Sequence, residues 1–397
     1  MATYKELIEK AKKDWNCPGL MDGAMAARGK KIPFSSPMMN WATYGGIPRD
    51  RITEFFGAPG SGKSTSAIDI CKNAISIFQD EYDFECLQLK NKISSGEKSY
   101  KSVLEDLEDR GVKKILYVDL EHSFDAAWSE TLGIDKTKID IMQPPDVVAE
   151  DILQMIENVV ETGEIGLLVL DSIPSLIPRA ELEKNYGERT VAALAGLLTV
   201  FCRKMVPKLD RYGTTMIFIN QIRDNLNNPY VVRTPGGEAP KFYASLRMLF
   251  EIGKPIDFLG NELPMSADNP DGYIVNAKIK KQKSAPNDRK LGVYYLLCQS
   301  GIRVDMDYAN LAIVKYNIIR KSGGWYTMCD PTTGEMMEDE DGKIIKVNGI
   351  LKVYEYLNSN PKYFNKVKTY ILNDIENLPQ DTERYSDEEY EEDEDDE

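Results

Sequence analysis

The amino-acid sequence predicts an α/β fold in which helices flank a mostly parallel, twisted sheet. Short apolar runs rich in β-branched and aromatic residues alternate with amphipathic segments, which is the pattern of such a sheet. The runs are nearly unbroken, and this indicates strands that are covered on both faces. The chain has 397 residues, enough for one large core with one or two small attachments.

The strands and helices follow in order along the chain. Apolar runs predict strands at 52–56, 115–120, 166–171 and 214–220, and further strand signals lie at 243–252, 272–281 and 293–298. Amphipathic segments predict helices at 63–78, 147–162 and 190–210. The polar stretch 80–112 carries a helical pattern near 99–110 and is interpreted as an insertion.

Changes in composition divide the chain into four parts. Residues 1–30 are expected to form an N-terminal helix, Tyr4 to Lys13, and a linker. Residues 31–324 form the α/β core, and the turn-rich residues 325–379 form a small C-terminal domain or lobe. Residues 380–397 are predicted to be a disordered acidic tail, because like charges repel one another and bury no surface.

The net charge of −15 is concentrated in that tail. Residues 381–397 contain 12 acids and one arginine, a charge of −11, which leaves −4 for the rest of the chain. The overall acidity therefore does not exclude a partner such as DNA. The tail is either a solubility segment or a mimic of DNA that competes for a basic surface.

Two classes of protein are disfavoured by composition. No apolar stretch approaches the ~20 residues that span a membrane, and the N-terminus lacks the apolar run of a signal peptide. The cysteines form no CxxC and there is a single histidine, His122, so a structural zinc site is not expected. We expect reduced, mostly buried thiols and a cytoplasmic protein. The cysteines are Cys17, Cys71, Cys86, Cys202, Cys298 and Cys329.

A complete phosphate-binding loop, GxxxxGK[ST], follows the first predicted strand and opens a helix. Its glycines permit a turn that directs successive N–H groups at phosphate, and the helix N-terminus adds a favourable partial charge. Lys63 is expected to reach the β- and γ-phosphates, and Ser64 to place a hydroxyl on Mg²⁺. The predicted nucleotide-binding residues of this loop are Gly57, Ala58, Pro59, Gly60, Ser61, Gly62, Lys63, Ser64 and Thr65.

Acidic residues end two of the predicted strands. Asp171 closes the strand 166–171, where it can hold Mg²⁺ or cap the helix that follows. Glu121 follows the strand 115–120 and can orient or deprotonate the attacking water, but Asp119 is a competitor for that role. Spacing alone does not choose between these two acids.

From Ile32 to Tyr326 the chain resembles bacterial RecA and its phage relatives, a family of recombinases. The motifs that carry the resemblance are FINQIR at 218–223, GGEAPKFYASLR at 236–247, VDLEHSFD at 118–125, LDSIPSLIPRAELE at 170–183 and KKQKSAP at 280–286. The resemblance implies a RecA-type P-loop ATPase core, with ATP and Mg²⁺ as cofactors. It further implies helical filaments on single-stranded DNA, homologous pairing with duplex DNA, and strand exchange with DNA-stimulated ATP hydrolysis.

The resemblance also implies roles for individual residues. Glu121 becomes the catalytic glutamate, Asp171 the magnesium-binding aspartate beside Ser64, and Gln221 the sensor of the γ-phosphate. Residues that match nucleotide-binding or subunit-interface positions of the family are Asp125 and Trp128 at the adenine, Lys281 and Lys283 at the neighbouring subunit's γ-phosphate, and Lys241 and Phe242 at that interface. Residues 1–30 match a segment that contacts the next subunit.

Two segments, 184–191 and 222–235, resemble the DNA-binding loops of the family. Both are rich in Gly, Asn, Pro and Arg and lack periodicity. Their arginines can pair with phosphates, while apolar residues can wedge between bases. The predicted DNA-binding residues are Gly187, Arg189, Val191, Arg203, Arg223, Tyr230, Arg233, Gly236 and Gly237.

Departures from the family pattern leave alternatives open. A family arginine is replaced by Gly196, the second loop is shorter than in typical bacterial members, and the insertion 80–112 has no counterpart. These differences favour a phage or divergent member, in the bacterial cytoplasm and nucleoid or an infected host. A hexameric motor and a P-loop kinase are the rival functions. Single-strand-binding and mediator proteins are further expected partners. An association with a membrane is not expected.

Overall fold

The structure is a computed structural model. It describes Thr3, Glu6, Lys10 and residues 30–145, 148–183, 193–223 and 233–376. In the N-terminal segment, Glu6 and Lys10 are helical, in agreement with the predicted helix. The rest of the leader, the predicted first DNA-binding loop, most of the predicted second one and the predicted acidic tail lie outside the described residues.

The core is built on a sheet of nine described strands. They are β3 (Ile52–Gly57), β4 (Lys114–Asp119), β5 (Asp140–Met142), β6 (Ile165–Asp171), β7 (Thr215–Gln221), β8 (Leu246–Ile256), β9 (Gly272–Gln282), β10 (Leu291–Leu297) and β11 (Gly301–Ile302). Their order in the sheet is β11-β10-β9-β8-β3-β7-β6-β4-β5. The strands from β8 to β5 in that order run parallel, and the remaining ones add an antiparallel edge. The predicted mostly parallel sheet is confirmed.

Helices cover both faces of this sheet because its central strands are apolar on both sides. One buried cluster includes Phe55, Tyr117 and Phe250, and the other includes Leu168 and Phe218. The α-helices of the core region are α1 (Pro37–Thr43), α2 (Lys63–Ser94), α3 (Tyr100–Arg110), α4 (Ala126–Thr131), α5 (Ala149–Glu161), α6 (Arg179–Leu182), α7 (Ala193–Tyr212) and α8 (Ala239–Tyr243). A short ribbon, β1 (Lys31–Ile32) with β2 (Ile47–Pro48), precedes β3.

The helix predicted at 63–78 is longer in the structure, where α2 continues to Ser94. The second half of α2 is polar and packs against α3 and not against the sheet. Cys86 and Leu89 of α2 meet Leu107 of α3 in a small buried cluster of their own. The segment 80–112 is therefore a helical hairpin.

The C-terminal part contains a three-stranded antiparallel sheet with helices packed against it. Its elements are α9 (Val304–Val314), β12 (Ile319–Ser322), β13 (Trp325–Met328), β14 (Lys346–Asn348), α10 (Ile350–Ser359) and α11 (Pro361–Glu376). Their shared apolar cluster includes Met306, upstream of residue 325, and also takes in Met38 of α1. The bounds of the lobe, like the other domain bounds, stay predictions.

The described helices and cysteines bear on the expectations drawn from composition. Across the ranges that the structure covers, no helix combines the length and apolar character needed to cross a bilayer. Among the described cysteines, Cys298 is exposed and the others are buried as free thiols, namely Cys71, Cys86, Cys202 and Cys329.

Candidate nucleotide and DNA site

The phosphate-binding loop begins where β3 ends at the carboxyl edge of the sheet. Gly57 pairs with Gln221 of β7 and Phe250 of β8 on its two sides, so close that a Cβ on Gly57 would lie 2.3 Å from the Phe250 carbonyl oxygen. Gly60 and Gly62 have φ of 69° and 91°, values that glycine adopts without strain. The sequence thus places glycine where the backbone requires it, and the loop enters α2 at Lys63.

Lys63 folds back over the loop. Its Nζ donates to the Ala58 carbonyl at 2.7 Å, and the side chain is buried. Burial lowers the pKa of Lys63, while the charges of Asp171 and Glu121 oppose that shift. The ammonium group therefore lies between the loop and the two acids, where a bound phosphate would offer it a stronger partner.

Ser64 and Asp171 meet in a pair of oxygen donors. Ser64 Oγ donates to Asp171 Oδ2 at 2.8 Å, and Tyr117 Oη donates to the same oxygen at 2.6 Å. Burial raises the pKa of Asp171, and the hydrogen bonds from Tyr117 and Ser64 lower it. A hydroxyl beside a carboxylate is a donor set that fits Mg²⁺. Asp171 is not the cap of the short 3₁₀ helix that follows, because the N-cap position of that helix is Ser172.

The hydrogen bonds of Asp119 and Glu121 differ. Asp119 is fully buried and accepts from Ser123 N at 3.2 Å, from Phe124 N at 2.9 Å and from Gln143 Nε2 at 2.8 Å. Glu121 is exposed, and its Oε1 accepts from Gln221 Nε2 at 3.1 Å and from the Ser172 hydroxyl. Asp119 thus holds the loop that follows β4, and Glu121 faces the site.

A buried polar network that sequence reasoning missed joins β3, β7 and β8. Glu54 is fully buried; it accepts from Asn220 Nδ2 at 2.9 Å and from Arg247 Nε. Asn220 also donates to the Pro235 carbonyl at 3.1 Å. The available signal was a glutamate in the middle of the apolar run of β3, since a buried charge needs partners.

Comparison with known proteins decides the family. The family model described as the RecA N-terminal domain matches residues 94–302, more than half of the chain. The chain is 30% identical over 349 residues to Protein RecA of Fusobacterium nucleatum, covering 85% of this chain and 80% of that protein. It is 29% identical over 333 residues to Protein RecA of Thermus aquaticus, covering 83% and 80%. This chain belongs to the RecA family.

Asp125 and Trp128, the two residues predicted to contact adenine, are engaged within the chain. Asp125 Oδ1 accepts from the amides of Ala127 and Trp128, at 2.8 and 3.0 Å, and so caps α4. The half-buried indole of Trp128 packs against the apolar cluster that includes Phe55 and Tyr117. Their part in adenine binding stays a prediction.

Lys281 and Lys283 contact the end of α8. Lys281 Nζ donates to the carbonyl oxygens of Lys241 at 2.6 Å and Phe242 at 2.8 Å, and Lys283 Nζ donates to Phe242 O at 3.2 Å. Burial, followed by the charge of Lys283, lowers the pKa of Lys281 to about 8. Phe242 is 68% exposed, and Lys241 pairs with Glu238. These contacts group the predicted interface residues in one surface region.

The predicted second DNA-binding loop, 222–235, begins directly after Gln221. The backbone N–H of Arg223 donates to the Arg233 carbonyl at 2.8 Å, which closes the base of the loop. Gly236 and Gly237 have positive φ, and their Cβ positions would lie 2.6 Å from Leu198 and 2.7 Å from Ala195 of α7. The glycines therefore let the chain pack closely on α7.

Three of the predicted DNA-binding arginines are exposed in the described structure. Arg203 is exposed on α7. Arg223 and Arg233, which pair at the base of the predicted second loop, are also exposed. Four of the predicted residues lie outside the described residues, namely Gly187, Arg189, Val191 and Tyr230.

Proposed function

We propose that this protein is an ATP-dependent recombinase that forms helical filaments on single-stranded DNA and exchanges strands with a homologous duplex. One observation carries the proposal. Gln221 contacts Glu121 in the nucleotide site, and only Ile222 separates it from Arg223 at the base of the second DNA-binding loop. A change in that loop is thus transmitted directly to the residue that contacts the catalytic acid.

ATP would bind with its phosphates on the loop 57–64. Lys63 exchanges its carbonyl partner for the phosphates, while Ser64 and Asp171 hold Mg²⁺. When bound, Mg²⁺ neutralises part of the charge that develops on the phosphates. Glu121 then orients the attacking water and accepts its proton.

The coupling to DNA would run through the end of β7. In the described structure, Gln221 and Ser172 both donate to Glu121 Oε1, and these hydrogen bonds restrain the carboxylate. DNA in the loops shifts Asn220 and Gln221 together, because Asn220 donates a hydrogen bond to Pro235, the last residue of the second loop. Glu121 is then free to act on water, so hydrolysis depends on DNA.

Filament formation would place Lys281 and Lys283 against the γ-phosphate of a neighbouring subunit, with Lys241 and Phe242 at the same interface. Arg203, Arg223 and Arg233 contribute phosphate contacts, while base pairing between strands supplies the sequence test. The expected setting is the cytoplasm. Single-strand-binding and mediator proteins are expected to control access to the strand.

Electron microscopy with ATP, Mg²⁺ and single-stranded DNA tests this proposal. We expect helical filaments, DNA-stimulated hydrolysis, and the loss of hydrolysis in Lys63→Ala. Rings would favour a hexameric motor on the same core. Monomers that phosphorylate a small molecule without regard to DNA would contradict the proposal.

A further inference from the structure

Tyr117 is a buried tyrosine whose hydroxyl reaches the nucleotide site from β4. The side chain is 1% exposed, and its ring packs edge-on against Phe124 with ring centroids 5.2 Å apart. Its hydroxyl donates to Asp171 Oδ2 at 2.6 Å. Because the ring is enclosed on all sides, the hydroxyl has a fixed position relative to Asp171.

Two donors from different elements meet on this one carboxylate oxygen. Ser64 Oγ approaches Asp171 Oδ2 from the first turn of α2, at 2.8 Å, and Tyr117 approaches it from the neighbouring strand of the sheet. Together they fix the rotation of the carboxylate about its last bond. Ser64 is also an expected ligand of Mg²⁺, so its hydrogen bond to Asp171 must adjust when the cation enters. The hydrogen bond from Tyr117 has no such second role.

We propose that Tyr117 is a positioning residue for the divalent cation, and that its hydroxyl sets the Mg²⁺ concentration at which nucleotide binds. This inference rests on the proposed ATP site. Groups that hydrogen-bond a metal ligand orient it, and their loss typically costs about 10- to 100-fold in metal affinity or activity. Among the side-chain contacts that the structure describes, Asp171 accepts hydrogen bonds from Ser64 and Tyr117 alone.

The substitution Tyr117→Phe removes this hydroxyl and keeps the ring. We expect the Mg²⁺ concentration that half-saturates binding of a fluorescent ATP analogue to rise about tenfold or more. Binding of the analogue in EDTA should be unchanged, because the phosphate-binding loop is intact. Tyr363→Phe is the matched control: Tyr363 is also buried and donates to Cys329 O at 2.9 Å, in the C-terminal region.

A double-mutant cycle separates positioning from a general structural role. In an Asp171→Asn background, adding Tyr117→Phe should cause no further shift in the Mg²⁺ requirement, because the carboxylate through which the hydroxyl acts is gone. Urea unfolding of each variant establishes that the comparison is between folded proteins. Equal losses of binding with Mg²⁺ and with EDTA would assign Tyr117 a structural role and overturn the inference.

Two results distinguish this inference from the function on which it depends. A wild-type protein that binds the analogue without regard to Mg²⁺ would overturn the proposed ATP site itself. A wild-type protein that depends on Mg²⁺, together with a Tyr117→Phe variant whose Mg²⁺ titration superimposes on it, would overturn only the role of Tyr117.

Discussion

Asp119 and Glu121 stand two residues apart, yet their carboxylates face different parts of the molecule. β4 ends at Asp119, whose carboxylate accepts from the loop that follows, whereas the exposed Glu121 accepts from Gln221 and Ser172 in the proposed nucleotide site. Asp119 is satisfied by the amides of Ser123 and Phe124. A residue whose hydrogen-bonding capacity is used to hold a loop is poorly suited to take a proton from water.

Glu121→Gln should bind ATP and DNA but hydrolyse ATP about 10²- to 10⁴-fold more slowly, because an amide cannot accept the proton of water. Asp119→Asn should instead lower the free energy of unfolding, by about 1–3 kcal/mol, since one carboxylate acceptor becomes a donor facing backbone amides. Single-turnover hydrolysis and urea unfolding measure the two effects. Normal turnover by Glu121→Gln, with none by Asp119→Asn, would reverse our assignment.

The lowered pKa of Lys281 predicts a pH dependence of stability. Its pKa is about 8 in the folded protein and higher when unfolded, so the unfolded chain binds more protons between those values and stability rises with pH in that window. Relative to Lys281→Gln, the wild-type free energy of unfolding should therefore increase above pH 8. Urea unfolding at pH 7.5, 8.5 and 9.5 provides the measurement, and a pH-independent difference would contradict it.

Of the individual site residues, the sequence predicts those whose position is fixed by a local motif. It does not predict those whose contacts come from residues far away in the chain. The phosphate-binding loop and Asp171 follow from local patterns. Local patterns do not identify Tyr117 and Ser172 as site residues, because their contacts with Asp171 and Glu121 join positions 54 and 51 residues apart in the chain. The Glu54–Asn220–Arg247 network has the same origin.

Among the elements, α2 departs most from the sequence prediction. With 32 residues at about 1.5 Å each, it is about 48 Å long, whereas the six residues of β3 span about 20 Å. The second half of α2 therefore extends past the edge of the sheet opposite the nucleotide. Apolar periodicity against the sheet ends near residue 78, and nothing local signals that α3 replaces the sheet as the packing partner.

Because the hairpin of α2 and α3 has its own small cluster, we expect it to unfold by itself. Leu107→Ala should destabilise the hairpin by about 2–5 kcal/mol, since Leu107 is buried between the two helices. Hydrogen exchange should accelerate in 86–107 and stay unchanged in β6 and β7. ATP turnover should also be unchanged. Faster exchange throughout the central sheet would show that the hairpin and core unfold together.

In the assembled protein, the lysine pair is expected to act between subunits. Lys281→Ala and Lys283→Ala should each lower DNA-stimulated hydrolysis, because the neighbouring ATP loses a positive charge at its γ-phosphate. Mixing either variant with a Glu121→Gln protein, which has intact lysines, should restore part of the activity. Complete failure to restore hydrolysis in mixed filaments, with assembly confirmed by microscopy, would indicate that the lysines act within their own subunit.

The charge of the whole chain leads to a prediction for the acidic tail. Because the tail belongs to the same chain as the predicted DNA-binding loops, its charge of −11 has an effective concentration of about 1 mM, and we expect it to compete with duplex DNA. Deleting 381–397 should strengthen duplex binding more than single-strand binding. The gain should shrink as salt rises, because salt screens charges beyond about 10 Å at 0.1 M. Superimposable binding curves at low salt would leave only the solubility role.

The hairpin turn offers a place to attach a reporter to the filament. Gly96 lies between α2 and α3, and no atom lies within 4 Å of its Cβ position. Its φ of 103° requires glycine, so a reporter is inserted after Gly96 and the glycine is kept. By the length of α2, this turn is tens of ångströms from Lys63, since each helical residue adds about 1.5 Å. A fluorophore or small tag domain inserted at the turn would travel with each subunit while leaving the phosphate-binding loop untouched. Growth of individual filaments then becomes observable in real time by light microscopy.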